Sequence, residues 1–254
     1  MSDDWDFYIL RVDDQPASIM VDLGIRPSAP LPTHKFMGYM RLKMNDPRPD
    51  GLSGQEEFDV LCAIGDAVEN SLSAKGGAHI YVGRNTSDGN RDFYFYTASL
   101  EKLHRCLDAV VKAFPQYEFI LGGREDADWS TYLEFLHPNP VEKQRMMDRR
   151  VCEQLRQHGD DLSAAREIDH RVYFSDKSKL KQYADYLREN NYVKIETGKT
   201  KPIFGQLFLD FKHIGAPEDV SDVVYDLSAK AEELGGEYDG WGCGVVAGGA
   251  GTVH

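Results

Sequence analysis

The feature that most limits how this chain can fold is the alternation of segments whose apolar residues have strand spacing with segments whose apolar residues have helix spacing. Between residues 168 and 174, every second residue belongs to a set that suits a buried strand face: Ile168, His170, Val172 and Phe174. This period of two predicts a strand with one buried face. The next apolar residues are spaced as on one side of a helix: Leu180, Tyr183, Ala184 and Leu187.

The same alternation of strand and helix segments continues toward the end of the chain. We expect strands at 192–197 and 203–211, a helix over 217–234 and a last strand over 238–246. The resulting order, β-α-β-β-α-β, is that of a ferredoxin-like (split β-α-β) sandwich, in which two helices cover one face of a four-stranded antiparallel sheet.

The first half has the same order, so we predict an α+β protein with two ferredoxin-like sandwiches. Its predicted strands are 34–44, 78–83, 91–97 and 117–121, and its predicted helices are 55–75 and 99–114. An N-terminal hairpin, 5–12 with 17–23, is expected to extend this first sheet, and the segment 132–136 is expected to add an edge strand.

Two prolines, Pro138 and Pro140, indicate a boundary between the halves because proline discourages continuous secondary structure. We therefore predict one domain at 1–138 and another at 141–254. A helix marked by Met147, Val151 and Leu155 opens the second domain.

The charge of the chain argues against nucleic acid as a direct partner. The formal net charge is −13, and acidic residues exceed basic ones on both sides of residue 138. A phosphate backbone is bound by clustered Lys and Arg, so a basic protein segment is the more natural partner. The aromatic segment 91–96 superficially resembles the strand on which RNA-recognition sheets stack bases. However, it lacks the glycines of that motif and contains Asp92, so we interpret it as an ordinary strand.

Other classes of site have little support in the sequence. No run of about 18 apolar residues is present and the N-terminal residues are acidic, so we expect a cytoplasmic protein. The cysteines stand far apart and are interpreted as free thiols used for packing: Cys62, Cys106, Cys152 and Cys243. No glycine-rich nucleotide loop is found, and we expect no cofactor and no metal.

A first group of candidate residues follows Gly159. Asp160, Asp161, Arg166 and His170 could form a polar cluster. The favoured interpretation is that His170 is a core residue hydrogen-bonded to a neighbour, with Asp160 or Asp161 as its candidate partner. The two aspartates could equally cap a short turn after Gly159.

A second group lies in the last predicted strand. If that strand is regular, Glu237, Asp239 and Trp241 share one face and could hold an arginine of a basic partner. Alternatively, Tyr238 to Gly240 forms a turn and Trp241 packs beneath a helix.

A hydrolase would need paired carboxylates, and the acidic loop of Glu125, Asp126 and Asp128 is the candidate. A metal site that adds His79 or His137 to this loop is a further alternative. A solvated acidic loop is the favoured interpretation, and we expect no catalytic residues.

Several short motifs give the second half a family resemblance. They are Gly159-Asp160-Asp161-Leu162, Arg166, Asp169-His170, Tyr173-Phe174 and Gly235-Gly236-Glu237-Tyr238-Asp239-Gly240-Trp241. The second half resembles the regulator of ribonuclease E activity B family. The resemblance implies a non-catalytic regulator that binds ribonuclease E, inhibits or modulates it, and so slows RNA decay. A generic protein-binding module with another partner is the alternative. The candidate partner-binding residues are then Asp160, Asp161, Arg166, His170, Glu237, Asp239 and Trp241.

The first half resembles an uncharacterised domain family that is often found beside this regulator. The likeness rests on Trp5, Pro16-Ala17-Ser18, Asp50-Gly51-Leu52, Glu56, Gly83-Arg84, Tyr94-Phe95-Tyr96, Asp128-Trp129, Tyr132 and Pro138. It implies no known activity.

Overall fold

A computed structural model of the protein describes residues 2, 4–12, 15–73, 78–199 and 206–247. The chain divides into two compact units, Met1–Glu142 and Lys143–His254. Among the helices in the described part of the chain, none is long and apolar enough to cross a membrane.

The first unit is built on a six-stranded antiparallel sheet. Its strands are β1 (Trp5–Val12), β2 (Gln15–Asp22), β3 (Phe36–Lys43), β4 (His79–Ser87), β5 (Asn90–Thr97) and β6 (Glu118–Glu125). Their order is β1-β2-β4-β5-β3-β6. The last four follow the ferredoxin-like order, and the β1-β2 hairpin extends the sheet beside β4. The predicted sandwich with an added hairpin is confirmed.

Two helices, α1 (Phe58–Ser73) and α2 (Leu100–Ala113), cover one face of this sheet. The core between them and the sheet contains Met40, Leu42, Leu61, Ile64, Tyr81, Phe93, Phe95, Leu103 and Leu107. Helix α2 packs very closely on β3, since a Cβ atom added at Gly38 would lie 2.3 Å from Leu103 Cδ2. Ser99 caps α2 through Lys102 N, which donates to its hydroxyl group.

A short π-helix (Thr131–Leu136) lies against the opposite face of the sheet, so the predicted edge strand at 132–136 is wrong. Tyr132 donates a hydrogen bond to Asp22 O, and Tyr8 donates one to Leu136 O. The segment looks strand-like because of its aromatic residues, but these contacts with β1 and β2 hold it in a helical turn.

The second unit contains a four-stranded antiparallel sheet. Its elements are α3 (Pro140–Gln157), β7 (Arg166–Phe174), α4 (Lys177–Glu189), β8 (Val193–Lys199), β9 (Leu207–Gly215), α5 (Val220–Glu233) and β10 (Glu237–Cys243). The strand order β10-β7-β9-β8 is again ferredoxin-like. Helices α4 and α5 cover the face that carries Val172, Phe174, Leu209 and Phe211. This second predicted sandwich is also confirmed.

A few predicted boundaries cannot be compared with the structure. The predicted helix end at residue 75 and strand start at residue 203 lie outside the described residues. The last strand is shorter than predicted, and Ala247 forms an isolated bridge with Asp160 instead of continuing β10.

Candidate functional site

A β-bulge divides the last strand and separates two of the candidate residues. Glu237 lies opposite Tyr173 on β7, whereas Trp241 lies opposite His170, and the register shifts between Tyr238 and Gly240. Since neighbouring residues of a strand alternate between faces and a bulge adds one residue, Glu237 and Trp241 point to opposite faces. The predicted common face of Glu237, Asp239 and Trp241 is therefore wrong.

Trp241 is instead packed within the second unit. It packs against two buried clusters, one formed by Cys152, Leu155 and Leu162 and the other by Ile168, Val220 and Val224. Its indole N–H donates a 2.9 Å hydrogen bond to Asp148 Oδ1. This arrangement agrees with the alternative in which Trp241 packs beneath a helix.

Asp148 is a site residue that the sequence analysis missed. The residue is 1% exposed and also accepts a hydrogen bond from Gln144 Nε2 at Oδ1. Burial raises the pKa of Asp148 against the opposing effect of the bonds from Gln144 and Trp241. Its position four residues before the buried Cys152 could have indicated an interior location.

His170 is buried in the core and hydrogen-bonded to neighbours, as predicted. Nδ1 lies 2.6 Å from Tyr238 Oη, and Nε2 lies 2.7 Å from His213 Nδ1. Its ring also stacks on Phe211. Burial, helped by His213, lowers the pKa of His170 to about 3, so the imidazole is neutral near pH 7. The predicted aspartate partners are wrong, because Tyr238 and His213 occupy both ring nitrogens.

Asp160, Asp161 and Arg166 do come together. Arg166 forms two hydrogen bonds with the Asp160 carboxylate, from Nη1 at 2.5 Å and from Nη2 at 2.9 Å, and it also donates to Asp161 O. Asp161 accepts from the backbone and hydroxyl of Ser163, as expected for a turn cap. Hydrogen bonding to Arg166 lowers the pKa of Asp160. The group is therefore a structural clamp.

A surface pocket of about 440 Å³ lies beside the bulge. We call it the acidic trough, and its lining residues are Gln144, Met147, Asp148, Val151, Asp169, His170, Arg171, Asp210, Asp239, Gly240, Trp241 and Gly242. A Cβ atom added at Gly240 or Gly242 would meet no heavy atom within 4 Å, so the backbone of β10 is open to a ligand there.

The charges of the acidic trough favour a cation. Asp210 pairs with Arg171 at 2.7 Å, and Asp169 pairs with Lys212 at 2.8 Å. Asp239 is exposed and forms no ion pair with any residue that the structure describes. Because the lining has four aspartates and one arginine, its net charge is negative. An arginine or lysine side chain of a partner could bind beside Asp239.

The loop proposed for a hydrolase has a different arrangement. Asp126 accepts hydrogen bonds from the Tyr96 hydroxyl at 2.6 Å, from Ser130 N at 2.9 Å and from Thr131 N at 3.0 Å. Burial opposes ionisation, but these donors outweigh it and hold the pKa of Asp126 well below its usual value. Asp128 is exposed. The Asp126 carboxylate thus accepts the backbone N–H groups at the start of the π-helix and does not pair with Asp128.

The candidate metal residues are also occupied by other contacts. His79 Nδ1 lies 2.8 Å from Thr97 Oγ1, and the ring of His137 packs edge-on against Tyr132. In the described part of the chain, no group of three or more His, Cys, Asp or Glu residues could hold a metal ion. The four cysteines are free.

The aromatic strand of the first unit has a structural role. Phe93 and Phe95 are buried in the core beneath the helices. Asp92 forms two hydrogen bonds of 2.7 Å with Arg41 of β3. This placement fits the interpretation of 91–96 as an ordinary strand.

Two family models match this chain. The family of unknown function DUF695 matches residues 3–137, and the family described as Regulator of ribonuclease activity B matches residues 145–243. The second match contains Asp160 and Arg166 of the clamp and every residue that lines the acidic trough except Gln144. No curated protein matches the chain.

Similarity to solved structures is weak. A candidate glycine cleavage system transcriptional repressor is 6% identical, with a TM-score of 0.25, and the match covers 82% of this chain and 98% of that one. An unknown protein from Galdieria sulphuraria is 14% identical, with a TM-score of 0.22, and the match covers 81% of this chain and 96% of that one. TM-scores this low support no conclusion about fold or function.

Proposed function

The chain belongs to the DUF695 family, and from the match of its second unit to regulators of ribonuclease activity we propose that the protein regulates a ribonuclease. Its target is ribonuclease E. The second unit binds the non-catalytic, arginine-rich scaffold region of that enzyme in the cytoplasm, inhibits or modulates it, and so slows RNA decay. The protein acts by binding and has no catalytic activity of its own.

The observation that carries this proposal is the acidic trough, whose lining residues apart from Gln144 all lie in the region that matches the regulator family. Asp239 offers a carboxylate without an ion-pair partner among the described residues, beside the glycine backbone of β10. An arginine side chain fits such a site, because it can donate two parallel hydrogen bonds to a carboxylate.

Charge explains how such a partner would be captured. The chain has a net charge of −13, so a basic segment is attracted before contact. A disordered segment orders when it binds, which limits its affinity and makes the interaction reversible. Since the attraction is electrostatic, added salt weakens it.

The occupied candidate residues support a role in binding. His170 bonds Tyr238 and His213, and Arg166 is held by Asp160. A general base needs a titratable group that can reach a substrate proton. Neither His170 nor Asp160 is available for that role, because hydrogen bonds within the second unit already engage them.

The test is a titration of the full chain against ribonuclease E and against its isolated scaffold segment, at low and high salt. We expect saturable binding to both that weakens as salt rises. Asp239→Asn should weaken binding about three- to tenfold, as expected for one charged hydrogen bond at a partly exposed site. Glu232→Gln on α5 removes the same charge elsewhere and should leave the affinity unchanged.

Two results would contradict the proposal. Absence of binding to either form of ribonuclease E would leave a protein-binding module with a different partner. Equal weakening by Asp239→Asn and Glu232→Gln would show that net charge matters and the acidic trough does not.

A further inference from the structure

The first unit contains a pocket of about 320 Å³ in which arginines meet apolar side chains. We call it the arginine pocket, and its lining residues are Phe7, Ile9, Ser18, Met20, Arg48, Leu52, Ser53, Phe58, Arg84, Thr86 and Arg91. Two segments that carry the family resemblance of the first half, Asp50-Gly51-Leu52 and Gly83-Arg84, contribute residues to it. The volume suits a small ligand.

Arg91 is a buried cation whose direct partners are neutral. The residue is 3% exposed, and its guanidinium donates to Thr86 Oγ1 at 3.1 Å and to Leu61 O at 3.3 Å. Burying a charge is costly unless an opposite charge and hydrogen bonds compensate it. Thr86 and Leu61 supply hydrogen bonds without a negative charge.

Arg84 adds a second positive charge to the same pocket. Burial, followed by repulsion from Arg84, lowers the pKa of Arg91 to about 10. In the described ranges, no carboxylate lies within ion-pair distance of Arg84 or Arg91. Glu57 attracts Arg91 from farther away, but its carboxylate oxygens accept from the backbone N–H groups of Asn45 and Asp46. Glu69 attracts Arg84 in the same way, without forming an ion pair with it. An anion in the pocket would give both arginines a direct acceptor.

The strand register places the apolar side chains beside these arginines. Phe7 lies opposite Met20, Met20 lies opposite Arg84, and Arg84 lies opposite Phe93 of the helix-covered core. Residues opposite one another share a face, so this is the face that α1 and α2 cover farther along the sheet. The β1-β2 hairpin extends beyond these two helices. Phe7 and Ile9 of β1 are 44% and 58% exposed, and Phe58 of α1 is 45% exposed.

We propose that the arginine pocket binds a small organic anion with an apolar chain. A carboxylate or phosphate group would contact Arg84 and Arg91, and the chain would lie over Ile9 and Phe58. Charge complementarity selects the anion, because guanidinium groups match both carboxylate and phosphate oxygens. The exposed apolar area favours a ligand with a hydrocarbon body over a bare ion. This activity is separate from the ribonuclease regulation proposed for the second unit.

Calorimetric titration of the full chain with four probes tests the proposal. Octanoate and octyl phosphate carry both features, acetate carries only the charge, and 1-octanol carries only the chain. We expect saturable binding at one site for octanoate, octyl phosphate or both, and at least tenfold weaker binding of acetate and 1-octanol. If octanoate binds more tightly than octyl phosphate, the anionic group of the ligand is a carboxylate; if octyl phosphate binds more tightly, it is a phosphate.

A matched pair of variants locates the site. Arg84→Gln should weaken binding of the better octyl probe about ten- to hundredfold, as expected for loss of charged hydrogen bonds. Arg105→Gln removes an exposed guanidinium on α2 and should have no effect. Arg84 is chosen because Arg91 is buried, and circular dichroism with thermal unfolding confirms that each variant is folded.

Three outcomes would overturn the proposal. The first is absence of saturable binding by both octanoate and octyl phosphate. The second is equal affinity for 1-octanol and octanoate, which would remove the role of the charge. The third is unchanged affinity in a folded Arg84→Gln variant, which would place any binding elsewhere.

Discussion

Arg166 holds the Asp160 carboxylate with both terminal nitrogens of its guanidinium, at 2.5 and 2.9 Å, and the two side chains are 8% and 0% exposed. The same pair binds the chain beyond the last strand. Val246 N donates to Asp160, and Arg166 donates to Gly244 O. The clamp therefore connects the loop before β7 to the segment after β10.

Replacing the clamp arginine should loosen that segment. We expect Arg166→Met to lower the melting temperature and to speed hydrogen exchange at the Val246 and Asp161 amides. Arg166→Lys should restore part of the loss, since lysine keeps the charge but not the two-pronged contact. Arg171→Met is the control because its pair with Asp210 is much more exposed than the clamp, at 44% and 36%, and it should cost less than about 1 kcal/mol. Equal effects of Arg166→Met and Arg171→Met would contradict the clamp.

The clamp also predicts acid sensitivity. The lowered pKa of Asp160 means that its contribution to stability is present above its unfolded pKa of about 4 and is lost as pH falls further. The difference in unfolding free energy between the wild type and Arg166→Met should therefore narrow below pH 4, and the part due to the bonds from Arg166 to Asp161 O and Gly244 O should remain. A constant difference between them down to pH 2 would be inconsistent with this linkage.

Asp126 should matter for stability and Asp128 should not. Asp126→Ala leaves the Tyr96 hydroxyl and the Thr131 N–H without their acceptor, so we expect a loss of about 3 kcal/mol in the free energy of unfolding. Asp128→Ala, two residues away and exposed, should change it by less than about 0.5 kcal/mol. Urea unfolding of both variants is the measurement, and similar losses would contradict the structural role of Asp126.

His170 should make the second unit less stable as pH falls. Its pKa is lowered to about 3 in the fold, whereas an unfolded histidine titrates near 6.5. The unfolded state therefore takes up more protons below pH 6.5, and stability decreases between there and pH 3. We expect a loss of about 2 kcal/mol at pH 5 relative to pH 7.5. Unfolding of His170→Asn should show a flatter dependence, and an unchanged slope would exclude His170 as the source.

Trp241 should affect stability more than partner binding. Trp241→Phe keeps an aromatic ring but removes the N–H that bonds Asp148, so we expect a loss of about 1–2 kcal/mol. Affinity for the basic scaffold segment should fall less than with Asp239→Asn, because Trp241 packs against the buried cluster that contains Cys152 and Leu155 of α3. Full stability together with lost binding would instead make Trp241 part of the binding face.

Local patterns predicted the architecture but not the local irregularities. Alternation in β7 and helical spacing in α4 depend on neighbouring residues, so both were recognisable. The bulge at Asp239 and Gly240 depends on pairing with Arg171 of another strand. The π-helix depends on Asp126, which Tyr96 contacts from 30 residues away. Neither interaction leaves a periodic signal.

By itself, the sequence determined the repeated β-α-β-β-α-β order, the interior position of His170 and the acidic character of the surface, because each follows from nearby residues or from composition. Only the tertiary structure decided which polar groups meet. His170 bonds His213 and not an aspartate, and Arg84 lines the same pocket as Arg91, beside the hairpin. Such pairs form where strands distant in sequence become neighbours, and the register of those strands is a property of the whole sheet.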